Sequence, residues 1–242
     1  MSDPAGEVVA VVLAAGQGTR VGGGMNKVFL PLRGRPIVVH ALEPFQASPT
    51  VDWIVLVVAA ADLAYCRREI LGRFPMPKIR EVVVGGSTRA ESEYKALQAL
   101  RPAIEAGRVG LILVHDAARP LVRPELVEAV VRGARESGAC IPALPSGDVI
   151  LRVASAGRVA EVYPRESVWA TQTPQAFEAG LLLGSYDRAR QAGFAGTDTA
   201  SAVEWAGHGV RVVAGDERNL KVTTPDDLRC AEIVLGRRNA DP

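Results

Sequence analysis

Short aliphatic and β-branched runs alternate with amphipathic stretches through the first half of the chain. The runs Val8–Leu13, Trp53–Val58, Ile79–Val84, Gly110–Val114 and Ala139–Leu144 predict strands. Helices are predicted between them, over Pro36–Gln46, Asp62–Leu71, Ser87–Leu100 and Pro124–Ser137. Pro36 suits a first helical turn, and Asp62 reads as an N-cap. Apolar strands separated by helices imply a mostly parallel sheet with helices on both faces, a Rossmann-like α/β fold. Ligands in such sheets bind beyond the carboxyl ends of the strands.

The alternation breaks after Pro145. Asp148–Val153 and Arg158–Val162 flank the turn Ser155-Ala156-Gly157, a hairpin pattern. A lone two-stranded ribbon is marginal in water, so this one is expected to protrude as an arm, at about 146–170, and to pack on a second subunit. Helices near Glu178–Gln191 and Asp198–Ala206, a strand Val210–Val213 and a last helix near Pro225–Leu235 complete the pattern. With no internal repeat or linker, residues 1–242 read as a single domain carrying a dimerisation arm.

Composition narrows the function classes. Apolar residues make up 48% of the chain, enough for a full core. Basic and acidic residues number 28 and 27, so the pronounced basic excess of a nucleic-acid binder is missing. Cys66, Cys140 and Cys230 are scattered, which fits a reducing compartment better than a disulfide framework or zinc site. Cys140 reads as a small core residue, and His40, His115 and His208 have no partner at metal-ligand spacing. The opening residues lack the basic stretch of a signal peptide, and the longest apolar run, Ile54–Ala61, is too short to span a bilayer. A cytoplasmic protein acting neither on nucleic acid nor in a membrane is expected.

The candidate chemistry begins where the first strand ends. Gly16, Gly18, Gly22, Gly23 and Gly24 follow it, flanked by the cations Arg20 and Lys27. Glycines let backbone amides approach an anion closely, and fixed cations beside them suit a polyphosphate. The dinucleotide fingerprint fails at Val21, where its third glycine belongs. The P-loop fails because Lys27 stands between Asn26 and Val28. Gly85-Gly86 and His115-Asp116 follow two other predicted strands. All three motifs are therefore expected to converge on one crevice. A carboxylate at that place suits a divalent cation, a ribose hydroxyl or a helix N-cap.

Taken in order, the motifs Leu-Ala-Ala-Gly-Gln-Gly-Thr-Arg (13–20), Lys27 with Phe-Leu-Pro-Leu (29–32), Gly-Gly-Ser-Thr-Arg-Ala-Glu-Ser (85–92), Val-His-Asp-Ala-Ala-Arg-Pro (114–120), Gln-Thr-Pro-Gln-Ala-Phe (172–177), Thr-Asp-Thr-Ala-Ser-Ala-Val-Glu (197–204) and Asn-Leu-Lys-Val-Thr-Thr-Pro-Asp-Asp-Leu (219–228) resemble the 2-C-methyl-D-erythritol 4-phosphate cytidylyltransferases of non-mevalonate isoprenoid synthesis. The resemblance implies transfer of a cytidylyl group from CTP to a polyol phosphate, with Mg2+ or another divalent cation and a homodimer formed through the arm. It gives Arg20 and Lys27 the α-phosphate transition state, and Asp116 the nucleotide and the metal. It assigns Ala14, Ala15, Gly86 and Ser92 to cytosine, with Gly16, Gly18 and Ala117 completing the nucleotide set. Lys221, Thr173 and Arg165 fall at acceptor positions, the arginine reaching the partner's site. Arg89 falls where it would brace the cytosine loop.

The chain departs from the family pattern at Leu13, Asn26 and Val28 around the glycine loop, and at Gly147, Leu151 and Pro164 in the arm. Gly147 replaces a threonine that contacts the acceptor in the family, so the nucleotide half is better kept than the acceptor half. Two other readings follow: a ribitol 5-phosphate cytidylyltransferase on the same loops, or a catalytically weak nucleotide-binding or sensing protein. The Ala117-Ala118 pair speaks against the first, and retention of Arg20, Lys27, Asp116, Arg165 and Lys221 against the second.

Overall fold

A computed structural model describes residues 6–16 and 26–238. In chain order the strands are β1 (Glu7–Ala14), β2 (Pro31–Leu32), β3 (Arg35–Pro36), β4 (Trp53–Val58), β5 (Ile79–Val84), β6 (Val109–Asp116), β7 (Ala139–Pro145), β8 (Leu151–Val153), β9 (Val159–Val162), β10 (Trp169–Thr171), β11 (Gln175–Glu178) and β12 (Arg211–Ala214). The helices are α1 (Ile37–Ala47), α2 (Leu63–Tyr65), α3 (Arg89–Glu105), α4 (Pro124–Ser137), α5 (Ala179–Gln191), α6 (Thr199–Trp205) and α7 (Pro225–Arg238).

The main sheet runs β10-β7-β11-β6-β1-β4-β5, and β12 also pairs with β7. β6, β1, β4 and β5 are mutually parallel, as is the β7–β12 pair, while β10 and β11 run antiparallel to their neighbours. The expected mostly parallel α/β architecture is therefore present. Period-2 alternation sorts its strands between two cores. Val8, Ala10 and Val12 with Ile54 and Leu56 face the side covered by Leu42, Phe45, Val127 and Val130 of α1 and α4. Val9 and Val11 with Val55 and Val57 face Leu97, Leu100, Leu182 and Val203 of α3, α5 and α6. Burial on both faces explains why these strands read as unbroken apolar runs.

Three expectations are corrected. β10 and β11 were not foreseen: short strands next to Pro174, they carry too little periodicity, and β11 wedges between β6 and β7. The stretch read as one helix over 62–71 is a 3-10 turn (Ala60–Asp62), the short α2 and a π-helical turn (Cys66–Leu71). Asp62 makes no capping bond there, because its carboxylate accepts from the Asn26 amide instead. The hairpin is present as the antiparallel pair β8–β9, and its Val149, Leu151, Val153, Val159 and Val162 are all exposed.

Candidate active site

A cleft of about 500 Å³ opens at the carboxyl edge of β1, β5 and β6, within the range of small-molecule sites. Leu13, Ala15 and Gly16 line it from the end of β1, and Gly86 to Arg89 with Ser92 from the turn into α3. Lys27 and Val28 come from the far end of the glycine segment, Asp116 and Ala118 from the end of β6, and Lys221 and Thr223 from the approach to α7. The three motifs expected to converge do line one cleft.

Each wall is set by local packing. Lys27 begins a 3-10 turn whose next two residues, Val28 and Phe29, are buried. Gly85 packs so closely on β1 that a Cβ there would stand 2.5 Å from the Ala15 Cβ. The Ser92 Oγ accepts from the Gly86 N–H at 3.0 Å and donates to the Thr88 carbonyl at 2.9 Å, so it holds the loop in shape. Lys221 lies between Leu220 and Val222, which pack with Leu32, Ile37, Leu121 and Ala231. The Val222 N–H donates to the Ala118 carbonyl at 2.8 Å, tying this segment to the turn after β6.

Asp116 is the electrostatic centre. Its carboxylate takes Lys221 Nζ at 2.7 Å on one oxygen and Arg89 Nε at 3.2 Å on the other. Burial pushes its pKa up, but Arg89 and Lys221 outweigh that and hold the carboxyl well below the usual range. Arg89 also pairs with buried Glu93 at 2.7 Å. Thr199 and Tyr186 hydroxyls donate to Glu93 at 2.5 and 2.6 Å. Burial raises the Glu93 pKa against these partners. Glu93, Arg89, Asp116 and Lys221 thus form a line of alternating charge from the α3–α5–α6 interior to the cleft.

A second chain of bonds fixes the Asp116 backbone. The Thr173 Oγ1 accepts from the Asp116 N–H at 3.1 Å and meets His115 Nδ1 at 3.0 Å. His115 Nε2 reaches the Arg119 carbonyl at 3.2 Å. A carbonyl only accepts, so Nε2 carries the proton and Nδ1 receives the Thr173 hydroxyl. Burial pushes the His115 pKa down to about 4, so the ring is neutral at pH 7. Arg119 donates to the Asn219 carbonyl at 2.7 Å and anchors the Lys221 approach.

A model of the 2-C-methyl-D-erythritol 4-phosphate cytidylyltransferases matches residues 8–237. The chain belongs to this family. It is 43% identical to the family enzyme of Geobacillus kaustophilus, over 96% of this chain and 98% of that protein. It is 42% identical to the bifunctional enzyme IspD/IspF of Desulforudis audaxviator, covering 95% of itself but 57% of that longer protein. The crystal structure of 4-diphosphocytidyl-2C-methyl-D-erythritol synthase from Anaerococcus prevotii superposes with a TM-score of 0.82 at 28% identity, over 96% of both chains.

Within this cytidylyltransferase fold, the residues singled out from sequence fall into four groups. Ala15, Gly16, Lys27, Gly86, Ser92, Asp116 and Lys221 line the cleft. Ala14 and Ala117 are buried behind it, the Ala117 N–H donating to the Leu13 carbonyl at 3.0 Å. Thr173 is also buried, its hydroxyl engaged by His115 and Asp116, so the structure gives it a supporting place rather than an open one. Arg165 sits on the exposed base of the arm, its Nε 3.4 Å from the Ser146 carbonyl, away from this cleft. Gly18 and Arg20 lie outside the described residues. Asp116 does not cap a helix; it ends β6 and turns back through the Arg119 N–H. Sequence reasoning missed Glu93. A carboxylate on the apolar stripe shared with Leu97 and Leu100 was the available signal.

Proposed function

We propose that this chain transfers a cytidylyl group from CTP to 2-C-methyl-D-erythritol 4-phosphate, releasing pyrophosphate. The observation that carries the reading is one cleft uniting Lys27, Asp116 and Lys221 in a chain that matches the family along nearly its whole length. An oxygen of the acceptor's phosphate attacks the α-phosphorus in line. The bond from that phosphorus to the bridging oxygen breaks, and the electron pair leaves with pyrophosphate. Such a reaction asks for positioning and charge stabilisation more than covalent help.

In this reading Lys27 and Arg20 stabilise the α-phosphate transition state, and Lys221 orients the acceptor phosphate. Ala15, Gly16, Gly86 and the Ser92-braced loop form a wall of small residues that a pyrimidine fits more readily than a purine. Among the described residues no cluster of three metal-ligating side chains exists. Asp116, whose carboxylate lines the cleft, is the residue that would hold Mg2+, together with nucleotide phosphates and water. When bound, the ion would neutralise triphosphate charge.

The arm's exposed valines and Leu151 are best covered by a second copy, and Arg165 at its base would then reach the partner's cleft. One nucleotidyltransferase domain with this arm accounts for the whole chain. The three free cysteines fit a cytoplasmic setting, and no described helix is long and apolar enough to cross a membrane.

Pyrophosphate release tests the reading, with CTP, UTP, ATP and GTP each offered methylerythritol phosphate and ribitol 5-phosphate. Turnover confined to CTP and methylerythritol phosphate is expected. CTP binding without release would leave a sensor, and preference for ribitol 5-phosphate would overturn the acceptor. Mixing Arg165→Ala with Lys27→Ala protein should restore activity if two copies share sites, and restore none if they do not.

A further inference from the structure

Asn26 stands immediately before Lys27 and is only 6% exposed. Its side chain uses both faces of the amide. The Nδ2 group donates to the Ala14 carbonyl at 3.1 Å and to the Asp62 Oδ2 at 2.9 Å. The Oδ1 accepts from the Val28 N–H at 3.3 Å, which caps the 3-10 turn bearing Lys27. A separate contact joins the same two segments: the Phe29 and Tyr65 rings lie 5.1 Å apart between centroids. The irregular helical run that begins near Asp62 therefore backs the Lys27 turn at two points. At its other end, the Ala14 carbonyl joins Asn26 to the strand whose next residues, Ala15 and Gly16, line the cleft.

We infer that Asn26, held by Asp62, is a positioning residue that fixes Lys27 against the carboxyl end of β1 for cytidylyl transfer. The inference rests on the function proposed above. The amide serves all three partners at once. Aspartate would turn an oxygen toward both the Ala14 carbonyl and the Asp62 carboxylate with no proton to share. Alanine would leave the Val28 N–H, the Ala14 carbonyl and Asp62 without these partners. Asparagine at position 62 would still accept from Asn26.

The test is a double-mutant cycle on the full chain, read by single-turnover rates at saturating CTP, with KM for CTP and melting temperature measured alongside. Asn26→Ala is expected to slow transfer about tenfold or more, while KM for CTP changes less than about threefold, since a small misplacement of a catalytic group costs that much. In a Lys27→Ala background the same change should cost less than about twofold, because residues acting as a unit are not additive. Asp62→Ala should follow Asn26→Ala in direction, and Asp62→Asn should restore the wild-type rate. The Asp62 pair keeps the inference testable if Asn26→Ala fails to fold.

An Asn26→Ala rate near wild type would overturn the inference. So would an equal loss with and without Lys27, which would leave Asn26 a purely structural residue. A wild-type protein inactive with CTP would overturn the proposed function and this inference together. An active wild type with an indifferent Asn26 would remove the inference alone.

Discussion

Replacing Gly85 by alanine puts a methyl where the structure has no room for one. A Cβ there would stand 2.5 Å from the Ala15 Cβ, 2.8 Å from the Ser92 Oγ and 3.3 Å from the Val57 Cγ1. Favourable carbon–carbon separations are about 3.5–4.0 Å. None of the three neighbours yields easily. The Ala15 methyl has no torsion to swing it aside, the Ser92 hydroxyl is held by Gly86 and Thr88, and Val57 is fully buried. The loop must therefore lift off β1 by roughly 1 Å, an overpacking that costs about 1–3 kcal/mol. Gly85 is not among the glycines with left-handed backbone, so alanine also stiffens the unfolded chain and returns about 0.4–1 kcal/mol. The net loss is roughly 1–2 kcal/mol, a fall in melting temperature of about 2–8 °C for a chain of this size. The same displacement moves Ala15 and Gly86, so CTP turnover should drop by up to about a hundredfold. Gly16→Ala is the control, because among the described residues nothing lies within 4 Å of a Cβ there. It should keep stability within about 0.5 kcal/mol and lose only CTP affinity. Thermal melts and CTP titrations read both variants. A Gly85→Ala protein that melts with wild type, or a Gly16→Ala protein that loses as much stability, would refute the steric reasoning.

Two further outcomes are expected. Glu93→Ala leaves the Arg89 guanidinium without its innermost partner and strips two hydroxyls of their acceptor, so urea unfolding should show a loss of about 3–5 kcal/mol; a loss under about 1 kcal/mol would mean the pair is not coupled to the core. The folded pKa of Asp116 lies below its unfolded value, so its ionised form contributes stability that is fully present above about pH 5 and is lost as pH falls through the folded pKa. Wild type should therefore begin to lose its advantage over Asp116→Asn as the pH drops below about 5, and go on losing it down through the folded pKa; stability curves that stay parallel from about pH 5 to 3 would contradict the assignment.

The sheet was legible from sequence because strands buried on both faces announce themselves as apolar runs. β4, buried at every position, occupies the residues that its pattern predicts, Trp53–Val58, and the half-exposed edge strand β5 occupies Ile79–Val84 on the strength of its β-branched residues. The crevice was legible because glycines and charges follow three of those strands directly. What sequence could not show was how side chains from distant segments pair. The Arg89–Asp116 bond spans 27 residues and the Lys221–Asp116 bond 105, and no local pattern encodes either. Asp62 illustrates the same limit: its position before a helical run suggests a cap, yet a tertiary partner 36 residues away takes its carboxylate. Thr173 was placed by motif, and only the fold shows its hydroxyl turned inward to His115.

The departures from the family pattern fall into two physical classes. Those beside the glycine segment are absorbed within the chain: Asn26 caps the Lys27 turn, Val28 is buried at its base, and Leu13 lines the cleft. Gly147, Leu151 and Pro164 instead lie on the exposed arm. Their consequence should therefore appear at the acceptor, not at CTP. Gly147→Thr isolates this. Among the described residues nothing lies within 4 Å of a Cβ at Gly147, and its backbone is not left-handed, so the larger side chain costs little in the fold. One hydroxyl able to hydrogen-bond a substrate group contributes about 0.5–1.5 kcal/mol, or roughly 2- to 12-fold in KM for the acceptor phosphate. KM for CTP and the melting temperature should stay at wild-type values. An unchanged acceptor KM, or a change shared equally by CTP, would mean that the arm's glycine does not face the acceptor.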